Sequence, residues 1–106
     1  VETLIRTRQD SGGSVELAVG DVLEIHLAET PTTGYLWKVH EIDPPALTFH
    51  GSRFVSGGPA PGRGGTRILT FEGVAPGRAV LRLKHYRQWA GDSSIIDRFE
   101  LTVSVR

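Results

Sequence analysis

From end to end the chain alternates apolar and polar residues with a period of two, and no stretch of ten or more residues keeps an apolar i, i+3, i+4, i+7 spacing free of Gly or Pro. A helix buries a stripe at 3.6-residue spacing, whereas a strand sends successive side chains to opposite faces, so this pattern confines the fold to strands. After a short, weakly patterned segment at 3–8, Val15, Leu17 and Val19 alternate with Ser14, Glu16 and Ala18. A turn at Gly20-Asp21 follows, and then Leu23, Ile25 and Leu27 point one way while Glu24, His26 and Ala28 point the other. Tyr35, Trp37 and Val39 share the next face, opposite Leu36, Lys38 and His40, until Pro44-Pro45 ends the strand. Residues 47–55 resume β character. Leu69 and Phe71 alternate with Ile68 and Thr70, and a tight turn at Ala75-Pro76-Gly77 leads to Ala79, Leu81 and Leu83, which predicts a hairpin. Phe99, Leu101, Val103 and Val105 form the inward face of a long last strand.

Seven or eight such strands, at spacings of roughly ten residues, predict an all-β immunoglobulin-like sandwich whose loops cluster at its two ends. A length of 106 residues suits one domain, 1–106, with Trp37 in its core. The balance of twelve basic against twelve acidic residues gives no attraction for nucleic acid or an anionic membrane. Cys is absent, which removes disulfides, thiolate metal sites and a Cys nucleophile. No apolar run approaches the length of a membrane span. The chain begins at Val1 with no Met anywhere, which predicts a trimmed sequence in which a removed signal peptide or lipid anchor would leave no trace; the expected location is periplasmic or secreted, as of a bacterial protein.

Catalytic patterns are missing as well. No G-x-S-x-G is present, and His26, His40, His50 and His85 stand alone on different strands with no metal-binding spacing between them. His26 and His40 are the pair that neighbouring strands would bring together, with solvent-facing positions the simpler expectation. Gly62-Arg63-Gly64-Gly65 is followed by a strand rather than the helix N-terminus that a phosphate loop needs. The reading is of a protein that is not an enzyme and needs no cofactor or metal.

Three loops carry more than a connection requires. The first, Thr30-Pro31-Thr32-Thr33-Gly34-Tyr35, leads into Trp37. Pro31 presets φ, the Thr hydroxyls bond the local backbone, and Gly34 supplies a positive φ. The second is the Gly- and Pro-rich stretch 56–65, ending Gly62-Arg63-Gly64-Gly65, and the third is Arg87-Gln88-Trp89 with its continuation to Ser94. In this order the loops resemble the motifs of the chagasin family of cysteine peptidase inhibitors: N-P-T-T-G-Y-x-W, G-x-G-G and R-P-W. Thr30 stands where that family has Asn, and Gln88 where it has Pro.

The resemblance implies that the three loops lie side by side at one end of the sandwich and wedge, as a monomer, into the cleft of a papain-like cysteine peptidase. Thr32, Thr33 and Gly34 would cover the catalytic Cys and His. Gly62 to Gly65 would lie along the non-primed subsites, backbone close to the enzyme, and Trp89 would stack on the primed side with Arg87 holding its loop. Two other readings stay open on the residues alone. One is an immunoglobulin-like carbohydrate-binding or adhesion module, stacking Trp89 and Tyr35 on sugars, although Asp92 is the only acid in the three loops. The other is a passive spacer domain.

Overall fold

A computed structural model describes residues 1–57 and 64–106. Among them are eight strands: β1 (Thr3–Thr7), β2 (Ser14–Leu17), β3 (Val22–Glu29), β4 (Tyr35–Asp43), β5 (Leu47–Ser56), β6 (Gly65–Gly73), β7 (Gly77–Arg87) and β8 (Asp97–Val105). They form two four-stranded sheets, ordered β1-β3-β6-β5 and β2-β8-β7-β4. Most neighbours are antiparallel, while β1 joins β3 and β2 joins β8 in parallel. The alternating residues meet between the sheets: Leu23, Ile25, Leu27, Leu69 and Phe71 from one, Trp37, Leu81, Leu83, Phe99, Leu101 and Val103 from the other. This is the all-β sandwich that the alternation predicts, and burial of these faces is its main stabilising term.

The expected hairpin between the strands around Phe71 and Leu81 does not form. β6 pairs with β3 and β5, whereas β7 pairs with β4 and β8, so residues 74–76 cross from one sheet to the other. A short turn containing Pro and Gly suits both connections, and a period of two is the same whether the next strand lies alongside or across the core. Val19 is also outside the core, at 49% exposure. The Asp21 carboxylate accepts from the Ala18 N–H at 2.9 Å, which turns the chain one residue after β2 ends. In β4 a bulge between Val39 and Glu41 resets the alternation, and Ile42 returns to pack on the core. His26 and His40 belong to different sheets and do not pair. His26 bonds Glu24 on its own strand.

Candidate functional site

β3 leaves the core with Glu29, a carboxylate whose side chain is fully buried. Its oxygens accept from Arg67 Nε (3.0 Å) and Nη2 (2.7 Å) on β6, and from the Trp37 backbone N–H (2.9 Å) on β4. The Trp37 indole N–H donates to the Ala28 carbonyl at 3.0 Å, a second bond from one sheet to the other. A buried carboxylate is tolerated when it is paired and hydrogen-bonded, and here the bonding clamps the two sheets directly beneath residues 30–34. Sequence reasoning missed this pair. The signal was available, because Glu29 continues the inward series Leu23, Ile25, Leu27, and Arg67 begins the inward series Leu69, Phe71, so an acid and a base interrupt two apolar faces at the same end.

Above the clamp, Pro31–Thr33 make one 3-10 turn. Pro31 sits at its first position, where its missing N–H costs nothing. The Thr33 N–H and hydroxyl both donate to the Thr30 carbonyl, at 3.0 and 2.7 Å, and the Gly34 N–H donates to the Pro31 carbonyl at 2.9 Å. Gly34 ends the turn at φ 82°, a left-handed conformation that costs a residue with a Cβ about 1–2 kcal/mol. A second constraint acts at the same residue. The Trp89 indole lies flush on Gly34, and any Cβ there would run into the ring.

Trp89 belongs to the third loop, Gln88–Ser94, a 3-10 segment that follows β7 and is kinked at Gly91, where φ is 68°. Trp89 is 75% exposed, and its ring rests on Gly34. Arg87 links the two loops: its Nε donates to the Thr33 carbonyl at 3.2 Å, and its guanidinium carbon lies 4.3 Å from the Tyr35 ring centre and 5.8 Å from that of Trp89. Such cation–aromatic contacts stabilise by roughly 0.5–1 kcal/mol at exposed positions. Ser94 closes the segment, its hydroxyl accepting from the Arg87 N–H (2.9 Å) and donating to the Gly91 carbonyl (2.7 Å). Gln88 occupies the first position of this 3-10 segment and is exposed.

Of the second loop, Gly62 and Arg63 lie outside the described residues, while Gly64 precedes β6 and Gly65 begins it. A Cβ on Gly64 would come within 2.8 Å of Thr30 Oγ1, and one on Gly65 would strike the Val55 carbonyl and the Phe54 ring. Gly65 is therefore required by the protein's own packing, whatever docks outside, whereas a Cβ on Gly64 would displace the Thr30 hydroxyl. Gly64 also brings this loop against the first at Thr30. Thr30, Pro31, Thr32, Thr33, Gly34, Tyr35, Gly64, Arg87 and Trp89 thus share one end of the sandwich.

Under the loops, His85 stacks on Trp37 with ring centres 4.6 Å apart and meets Tyr35 edge-on at 6.0 Å. Burial lowers its pKa below the ordinary histidine value, against weaker pulls from the charge of Glu29 and from a backbone bond at Tyr35. Its Nε2 is buried with no hydrogen-bond partner among the described residues. No group of three His, Cys, Asp or Glu among the described residues is placed to hold a metal ion.

A sandwich that brings two loops together at one end, locks them by backbone and ring contacts and leaves an aromatic ring projecting is a loop-presenting binding domain. The chain belongs to the chagasin family of peptidase inhibitors, I42, whose family description matches residues 16–103. It is 29% identical over 98 residues to chagasin of Trypanosoma cruzi, a match that covers 88% of this chain and 89% of that one. Its fold is similar to that of the cysteine protease inhibitor EhICP2 of Entamoeba histolytica, with a TM-score of 0.85 at 19% identity, covering 99% of this chain and 96% of the other. It is also similar to PbICP-C, solved in complex with falcipain-2, with a TM-score of 0.65 at 20% identity over 99% of this chain and 92% of that one.

Proposed function

We propose that this chain is a reversible inhibitor of papain-like cysteine peptidases which blocks the cleft with the three-loop end of its sandwich. Family membership supports the activity, and the complex of PbICP-C with falcipain-2 supports the kind of partner. The observation that carries the mechanism is the Thr33 carbonyl, drawn back onto Arg87 Nε within a 3-10 turn. A scissile peptide must lie extended with its carbonyl free to enter an oxyanion hole. Here the Thr30, Pro31 and Thr33 carbonyls already accept hydrogen bonds within the protein, and the backbone is curled. Thr32, Thr33 and Gly34 therefore fill the catalytic centre without offering an aligned bond. Gly64 and Gly65 flank it on one side, and Trp89, with Arg87 and Gln88 at its base, flanks it on the other.

The two locked loops surrender little conformational freedom on docking, which lets a modest contact area give tight binding. Inhibition of papain is expected in the nanomolar range, about 12 kcal/mol of binding free energy, with trypsin and pepsin unaffected. The inhibitor is expected to survive long incubation uncut at residues 32–34 by mass spectrometry. Stoichiometric cleavage there replaces the blocking mechanism with a slow-substrate one, and no inhibition of any papain-like peptidase at micromolar concentration overturns the reading.

A further inference from the structure

The outer face of the sheet β2-β8-β7-β4 carries two neighbouring cross-strand rows of opposite design. In one, Glu41, Arg82 and Glu100 are register partners, and Arg82 bridges both acids at 2.5 and 2.9 Å. In the next row towards the loops, the partners are Lys38, Lys84 and Arg98. Like charges facing each other across strands, with Cβ atoms about 5 Å apart, destabilise a sheet. The chain has only two lysines against ten arginines, and both are in this row. His40, also exposed, borders the same groove as Arg82, Lys84 and Arg98.

Among the described residues a single carboxylate forms an ion pair with this row: Asp92 Oδ1, 2.6 Å from Lys84 Nζ. Lys84 chiefly, with His40 and Arg98 adding, holds the Asp92 pKa below its ordinary value. Lys38 and Arg98 are exposed and make no ion pair among the described residues. Asp92 lies on the loop that carries Trp89, so the surplus positive charge adjoins the proposed binding end in a chain whose net charge is zero.

We infer that the row Lys38–Lys84–Arg98 is a docking surface for an acidic strip on the rim of the peptidase cleft, an inference that rests on the inhibitor reading above. Exposed charges of this kind act over a Debye length to steer encounter, and so raise the association rate more than they slow dissociation. The repulsion built into the free row is relieved when carboxylates arrive.

The test is the Lys38→Glu/Arg98→Glu double variant, with association and dissociation rates measured against two papain-like peptidases, one of net negative and one of net positive charge. Lys84 is left in place because it holds Asp92. At about 0.02 M salt, association with the negative peptidase is expected to slow roughly tenfold, with dissociation changed less than about twofold, and the difference is expected to close at about 0.5 M. Association with the positive peptidase is expected to quicken, and the melting temperature to hold or rise, since each reversal sets a carboxylate beside Lys84. Association unchanged at low salt, or slowed equally with both peptidases, overturns the inference while leaving inhibition standing. If the parent chain inhibits neither peptidase, both readings fall. Retention of the parent chain on immobilised heparin, with association rates insensitive to the reversals, assigns the row to an anionic glycan and likewise overturns it.

Discussion

Trp37 and Trp89 sit at the same end of the sandwich, and each is fixed by contacts from more than one segment. Trp37 is 3% exposed, bonded through its indole N–H to Ala28 and stacked on His85, and it holds the first loop from below. Trp89 is 75% exposed and rests on Gly34, so the same loop is held from above by a ring that solvent still reaches. The difference teaches that one residue type divides its work according to which of its faces is already covered. A ring covered on both faces contributes stability, while a ring covered on one face is prepaid for binding.

The largest effect expected is on the buried member. Trp37→Ala removes core volume, the bond to Ala28 and the stack on His85, and is expected to cost roughly 3–5 kcal/mol in urea unfolding. Trp89→Ala is expected to cost roughly 2–4 kcal/mol of binding to papain, as anchor truncations do, while barely moving the melting temperature. If Trp89→Ala unfolds the domain and leaves binding intact, the division of roles is reversed. Gly34→Ala sharpens the contrast because it adds a methyl under one ring only. The Cβ both strains the left-handed backbone and lifts the indole, and a binding loss of roughly 1–3 kcal/mol is expected together with altered Trp89 fluorescence. Unchanged fluorescence and affinity mean that Trp89 does not sit on Gly34 in solution.

Gln88→Pro has the smallest expected effect. Position 88 is the first of a 3-10 segment, the kind of position that favours Pro. Reduced freedom of the free loop is expected to give about 0.4–1 kcal/mol, read as a few-fold slower dissociation. A double-mutant cycle with Trp89→Ala checks whether the gain depends on the anchor. Strict additivity, or weaker binding with the fold intact, means that Gln88 makes a contact of its own.

Much of the sandwich was legible because burial on one face forces strict alternation, as in Leu23-Ile25-Leu27 and Phe99-Leu101-Val103. What alternation does not encode is which strand lies alongside which. The crossing at residues 74–76 was therefore misread as a hairpin, and the row Lys38–Lys84–Arg98, whose members are far apart in sequence, was invisible until register was known. The first loop was legible for a different reason: Pro31, Thr33 and Gly34 each bias the backbone locally, and the turn they form needs no distant partner. The seat of Trp89 on Gly34 and the clamp of Glu29 on Arg67 are contacts between segments. For the clamp, the pattern marked that two inward positions were charged but not that they met.

His85 ties the fold to the proton concentration of its surroundings. Its folded-state pKa lies below the unfolded value near 6.5, so the folded protein prefers the neutral ring. Above that pH both states are neutral and the group contributes no slope. As pH falls through 6.5, the unfolded chain takes up a proton that the folded one refuses, and unfolding is favoured progressively until the folded ring also titrates. Asp21, Asp92 and Asp97 have pKa values lowered from 3.8, so the stability they contribute is lost only at more acid pH. The unfolding free energy is therefore expected to decline first between pH 6.5 and the carboxylate range, and His85→Phe, which keeps an aromatic ring against Trp37, is expected to flatten that decline. An unaltered pH profile in the variant would place the proton uptake at another histidine. Through His85 the ring beneath the loops makes acidity, as well as heat or denaturant, a variable that sets how long the binding end stays assembled.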